Sequence, residues 1–168
     1  MEHVLVCYAT RYGSTGDIAR IIADELRAAG YRVTLSPVSD AIDPGDFDAV
    51  VIGSPLYMGK WLAEAREFVS RFRNSLKSRP VAVFSAGFTL RERTSNHLTA
   101  VDEALGSSVK LFISPISTGY FAGKLDPDHM SSADRAIVTL TGAIPGDFIE
   151  PDEIKKWARE LSALLSGG

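Results

Sequence analysis

Ala9-Thr10-Arg11-Tyr12-Gly13-Ser14-Thr15-Gly16-Asp17-Ile18 decides the reading of this chain. It follows the apolar run Val4–Tyr8 and opens a stripe at helical spacing, Ile18, Ile21, Ile22, Leu26 and Ala29, which Gly30 ends. A glycine- and hydroxyl-rich loop between a strand and a helix is suited to phosphate. Its amides converge on one anion, and the helix N-terminus adds partial positive charge. Thr10, Ser14 and Thr15 supply hydroxyls, Arg11 supplies a cation, and Gly13 permits a tight turn.

Outward from this loop the chain alternates strand and helix. The apolar runs Val4–Tyr8, Ala49–Ile52, Val81–Phe84 and Val109–Ile113 are nearly continuous, as in strands covered on both faces. Arg32–Leu35 alternates and reads as an edge strand, and Pro115 closes the fifth run as a strand end. Helical stripes lie between them. Trp61, Leu62, Ala65, Phe68, Val69 and Phe72 form one, with Trp61 facing the core. Leu98, Val101, Ala104 and Leu105 form another, stopped by Gly106, and Ser131–Thr141 is a further helix. Ile154, Trp157, Ala158, Leu161, Leu164 and Leu165 form the last, entered through Pro151 and Asp152. Pro37–Phe47 replaces one helix by a loop.

This alternation predicts an α/β three-layer sandwich: a five-stranded parallel sheet of order 2-1-3-4-5, with helices on both faces, as a single domain over 1–168. Ligands then bind at the carboxyl ends of the strands, beside strands one and three. The loops to inspect are Ala9–Thr15, Gly53–Lys60, Ser85–Ser95 and Ser114–Asp128.

Composition excludes several classes. At 168 residues, 45% hydrophobic and 23% charged, the chain has the make-up of an ordinary globular protein. A net charge of −3 argues against nucleic-acid binding. No apolar stretch approaches the roughly 20 residues of a transmembrane segment. The N-terminus reads as a strand rather than a signal peptide, so a cytoplasmic location is expected. Cys7, the single cysteine, lies inside the first strand and reads as a buried thiol. A cysteine phosphatase would need its Cys at the start of the loop and its Arg farther along than Arg11. His3, His97 and His129 have no metal-ligand spacing.

The loop also excludes ligands. It is not G-x-G-x-x-G, and no Lys precedes Ser14 or Thr15 as a nucleotide-hydrolysing loop requires. Phospho-acceptor domains of similar architecture need acidic residues after strands one and three, where this chain has Ala9-Thr10 and Gly53-Ser54. Hydroxyls and amides without nearby acids suit a terminal phosphomonoester held without Mg²⁺.

Thr10-Arg11-Tyr12-Gly13-Ser14-Thr15 resembles the FMN-phosphate loop of the flavodoxin family, Thr-x-Thr-Gly-x-Thr, with Tyr12 where threonine is common. Gly53-Ser54-Pro55-Leu56-Tyr57-Met58-Gly59-Lys60 resembles the family's first flavin-flanking loop. The resemblance covers nearly the whole chain, through Gly146-Asp147-Phe148 and the last helix with Trp157. The Thr-Arg-x-Gly-x-Thr form is most similar to the branch containing menaquinone-dependent protoporphyrinogen IX dehydrogenase.

The resemblance implies FMN as cofactor, with its phosphate in the first loop and its ring between the second and third. Thr10, Arg11, Tyr12, Gly13, Ser14 and Thr15 are the candidate phosphate residues. Ser54, Pro55, Leu56, Tyr57, Met58, Gly59 and Lys60 would flank the ring on one side, with Tyr57 stacking on it. Ser85, Ala86, Gly87 and Phe88 would flank the pyrimidine end, with Tyr120 and Phe121 as rivals of Phe88 for the second face. The Met58–Gly59 peptide would rotate to accept a hydrogen bond from reduced N5, which requires a residue tolerant of positive φ. Arg91 and Arg93 against Glu92 would permit a less negative potential than in strongly acidic flavodoxins. The cluster Lys60, Arg66, Arg71, Arg73, Lys77 and Arg79 reads as a solvated helix face.

No side chain stands out as a general acid or base. The sequence alone therefore favours a low-potential electron carrier docking with a redox protein partner, ferredoxin-linked or similar. The alternative is a flavin-dependent oxidoreductase of the protoporphyrinogen dehydrogenase type, with Ser85–Asn96 and Ser117–Asp128 shaping a substrate cleft.

Overall fold

The computed structural model describes residues 2–87, 95–106, 108–141 and 146–167. Strands β1 (His3–Tyr8), β2 (Arg32–Pro37), β3 (Ala49–Tyr57), β5 (Val81–Gly87) and β6 (Ser117–Ala122) pair in parallel in the order β2-β1-β3-β5-β6. The short strand β4 (Lys60–Trp61) turns back on β3 as an antiparallel hairpin. With β4 set aside, this is the predicted 2-1-3-4-5 arrangement in a flavodoxin-like α/β fold. Strands β7 (Lys124–Leu125) and β8 (Gly146–Asp147) form a separate antiparallel ribbon.

Strand alternation divides the core between the two faces of the sheet. Leu5, Cys7, Val50, Ile52 and Val83 pack against α2 (Ala63–Arg71), α3 (Arg73–Lys77) and α4 (Ser95–Gly106). Val4, Val6, Val51 and Phe84 face the other way, onto α1 (Ser14–Ala28) and α6 (Pro151–Gly167). Trp157 of α6 packs edge-on against Phe121 and Phe84. Phe84 lies across Gly53 so closely that a Cβ there would sit 1.9 Å from its Cζ. Pro37–Phe47 runs as two short 3-10 turns, as the missing helical stripe predicts. Ser132–Thr141 is helix α5.

Three boundaries differ from the sequence reading. The fifth strand is Ser117–Ala122, not Val109–Ile113. The amide of Ile113 donates to the Val109 carbonyl at 3.2 Å and that of Lys110 to Leu105 at 2.8 Å, so the run is a helical turn following α4. Val109 and Ile113 share the buried side while Leu111 is 69% exposed, a four-residue spacing where a strand would have put all three on one face. Pro115 consequently precedes the strand instead of closing it. Second, Trp61 lies in β4, and α2 begins at Ala63. Trp61 is still core, as expected: it is buried, and its indole N–H donates to Ser85 Oγ at 2.8 Å. Third, β3 and β5 continue through Tyr57 and Gly87, so Ser54–Tyr57 and Ser85–Gly87 are strand ends, not free loops.

Candidate functional site

The carboxyl ends of β1, β3 and β5 converge on a cavity of about 140 Å³. Thr10, Arg11, Tyr12, Ser14 and Thr15 line one side of it. Pro55, Leu56, Tyr57, Ala86 and Gly87 line the other. These ten predicted residues, from three separate segments, are thus brought together.

The first segment is built as an anion cradle. Gly13, with φ of 96°, precedes α1 in the left-handed region that only glycine enters at no steric cost. Its amide donates to Thr10 Oγ1 at 2.8 Å, which leaves the Thr10 hydroxyl hydrogen free to donate elsewhere. The Asp17 amide donates to Gly13 O at 3.2 Å and closes the first turn, so the Ser14, Thr15 and Gly16 amides stand ahead of any carbonyl one turn back. Thr15 is 1% exposed, and its Oγ1 has no hydrogen-bond partner among the described residues. A buried hydroxyl left unpaired costs about 1–3 kcal/mol, so its presence here needs a reason. A phosphate oxygen in the cradle would supply one, and the donor set of hydroxyls and amides fits that group.

Other predicted residues support the site without lining it. Ser54 is buried, donates to the Pro55 carbonyl at 2.9 Å and accepts from the Leu62 amide at 3.0 Å. Ser85 is buried, and its Oγ accepts from the Trp61 indole N–H. Met58 and Gly59 form the two-residue tip of the β3–β4 hairpin, with φ of 51° and 77°, and Lys60 pairs opposite Tyr57. Positive φ at both central positions suits the right-handed twist of a hairpin, and it is the backbone that Gly59 was expected to adopt. Phe88 lies outside the described residues, as do Arg91, Glu92 and Arg93. Its rivals face away from the cavity. Phe121 is core against Trp157, and the Tyr120 hydroxyl donates to Asp102. In the basic cluster, Arg66, Arg73 and Arg79 donate to backbone carbonyls of Trp61, Ser70 and Phe47, respectively.

Sequence reasoning missed the residue that ties the loops together. Asp134, on α5, is 3% exposed. It accepts from Arg11 Nε at 2.6 Å, from the Tyr57 hydroxyl at 2.5 Å, and from the Tyr12 hydroxyl. The Arg11 guanidinium lies 4.3 Å from the centroid of the Tyr57 ring, within cation–π range. Arg11 holds the Asp134 carboxyl well below the usual carboxylate range despite burial, with the two tyrosines adding to the effect. In return, Asp134 raises the Tyr57 hydroxyl above its ordinary pKa. Arg11 is therefore ion-paired to a buried carboxylate while its side chain stays 40% exposed. Gly123, Lys124, Leu125 and Met130 complete the cavity wall. No local pattern marks Asp134, whose partners are 123, 122 and 77 positions away.

The flavodoxin domain model matches residues 5–148, which include the cradle, both flanking strand ends and the Asp134 segment. The chain belongs to the flavodoxin family. A flavodoxin domain implies flavin binding, in agreement with the cradle. Among curated relatives, protoporphyrinogen IX dehydrogenase [quinone] of Escherichia coli (strain K12) is 31% identical, over 95% of this chain and 94% of that protein. Solved structures share the fold. A short-chain flavodoxin associated with a non-canonical PDU bacterial microcompartment superposes with a TM-score of 0.61 at 20% identity, covering 98% of this chain and 99% of that one. A flavodoxin from the domain Archaea gives a TM-score of 0.61 at 13% identity with the same coverage. Among the described residues no helix is long and apolar enough to cross a membrane.

Proposed function

We propose that this flavodoxin-family chain is an FMN-dependent oxidoreductase of the protoporphyrinogen IX dehydrogenase type, passing electrons from a porphyrinogen to a quinone. The observation that carries the proposal is the near end-to-end correspondence with the quinone-linked dehydrogenase, across 95% of this chain. The sequence alone placed the carrier first. The likeness to solved flavodoxins lies below 25% identity and speaks only for the fold, so it does not restore that ranking.

Bound FMN would supply the redox chemistry, accepting hydride equivalents from the substrate and returning electrons to the acceptor. The protein's part is to hold the cofactor and exclude water. Thr10, Ser14 and Thr15 would hold the phosphate through their hydroxyls, with the amides at the start of α1 as further donors. Asp134 neutralises Arg11, so the cradle relies on dipoles and hydroxyls more than on a free cation. Pro55, Leu56 and Ala86 offer apolar surface to the ring, and Tyr57 offers an aromatic face.

The test is an anaerobic assay of the purified protein with protoporphyrinogen IX and a menaquinone analogue, after its FMN content has been measured. Porphyrin formation dependent on the quinone supports the proposal. A flavin-loaded protein that leaves porphyrinogen unoxidised, yet relays electrons from a ferredoxin-linked reductase, returns the carrier to first place.

A further inference from the structure

Helix α5 is fastened to the cofactor loops in an unusual way. Among its described side chains only Asp134 is fully buried; Ile137 and Val138, on the same face, are half-buried, and Leu140 is 87% exposed. Helices normally dock through an apolar stripe. This one adds to two half-buried apolar side chains a buried carboxylate held by Arg11 and Tyr12 from the β1–α1 loop and by Tyr57 from the end of β3. A polar fastening of this kind comes undone when its donors find another acceptor, because its strength resides in a few directional bonds.

The second observation is space. Pockets that take cofactor-sized ligands measure about 300–1,000 Å³. The cavity here is about 140 Å³, and Leu125 and Met130, from the segment leading into α5, help to wall it. Arg11 covers one face of the Tyr57 ring, the face of the proposed stacking residue turned toward the clasp. The loop offers donors for a phosphate, and the cavity between the described residues is smaller than a whole cofactor requires.

We propose that Asp134 is a latch: it clasps α5 over the ring end of the cavity, and the flavin ring enters only when the latch releases Arg11 and Tyr57. This rests on the FMN reading given above. A phosphate seated at Thr15 gives Arg11 and Tyr12, which belong to the same loop, a competing anionic acceptor. Cofactor binding then favours the released arrangement through its differential contacts, as any ligand-driven shift requires.

Stopped-flow mixing of the full-length, flavin-stripped protein with excess FMN tests the latch. The wild-type association rate should rise with FMN and then level off at the rate of α5 opening. In Asp134→Asn, which keeps the size but loses the charge, the plateau should rise by about tenfold or more, the worth of one charge-assisted hydrogen bond. Wild-type association that stays linear in FMN, or an unchanged plateau in the variant, overturns the latch while FMN binding itself stands. Failure of both proteins to take FMN at micromolar levels overturns the FMN reading and the latch with it. Amide hydrogen exchange of the flavin-stripped wild type gives a check that needs no variant. Residues 132–141 should exchange while β1 and β3 remain protected. Exchange of α5 only together with those strands refutes an independently opening helix.

Discussion

Thr15→Val separates what this site costs the fold from what it does for a ligand. Thr15 occupies the first turn of α1, is 1% exposed, and has an Oγ1 without a partner among the described residues. Valine replaces that hydroxyl by a methyl of nearly the same shape, in a residue of similar helix propensity. Without flavin, the variant should be more stable by about 1 kcal/mol, the low end of the penalty for a buried unpaired polar group. In a chain of this size that is a rise of about 2–4 °C in Tm. With flavin the sign reverses. A hydrogen bond to a phosphate dianion contributes about 1.5–3 kcal/mol, so Kd for FMN should weaken by about 10- to 150-fold.

The assays are thermal unfolding of the flavin-stripped protein by circular dichroism, and FMN titration by quenching of flavin fluorescence. Thr15→Ser, which keeps the hydroxyl, should retain most of the affinity. Opposite signs in the two measurements are the signature of a group built for a ligand. A variant that loses stability without flavin would mean the hydroxyl already has a structural role. An unchanged Kd would remove the phosphate from Thr15. Either result refutes the reasoning.

Gly53→Ala should destabilise by about 3 kcal/mol or more, because the new Cβ would lie 1.9 Å from Phe84 Cζ in a filled core; urea unfolding measures it. The Cys7 thiol is pushed up well above its ordinary pKa by burial, which disfavours the thiolate, so native protein at pH 8 should not react with a thiol reagent that labels it fully once unfolded. Gly59→Ala places a side chain at φ of 77° and should cost about 1–2 kcal/mol. It should also shift the first one-electron potential of bound flavin, and an unchanged potential removes the Met58–Gly59 peptide from redox control.

The four strands read correctly from sequence are those whose residues leave little choice. Val4–Tyr8, Ala49–Ile52 and Val81–Phe84 are sandwiched between helices, so both faces must be apolar, and Arg32–Leu35 alternates as an edge should. The fifth strand hid for the converse reason. Among the described residues Ser117–Ala122 pairs only with β5 in the main sheet, and it carries Ser, Thr and Gly. Val109–Ile113, by contrast, looks like a buried strand because short apolar runs have no period of their own. Within the candidate site, the glycine turn and the helix N-terminus that follows it were legible because both are local chemistry. Nothing local in the sequence reveals that Ser54 Oγ accepts from the Leu62 amide and Ser85 Oγ from the Trp61 indole, so the structural part of these two side chains was not legible.

The same contrast bears on what the chain does. An electron carrier transfers best with a flavin edge open to its partner, and it gains nothing from covering the ring. An enzyme oxidising an organic substrate needs a site that opens, admits a molecule and sheds water. Strands β7 and β8 pair with each other, and between them in the chain helix α5 brings Asp134 to the cofactor loops. A clasp that buries a charged residue to restrict the ring end is costly in a carrier and purposeful in a dehydrogenase. If Asp134→Asn speeds flavin uptake while porphyrinogen oxidation falls, the covering segment serves the reaction. If oxidation is absent in both proteins, the carrier gains, and the clasp is left with cofactor retention as its only role.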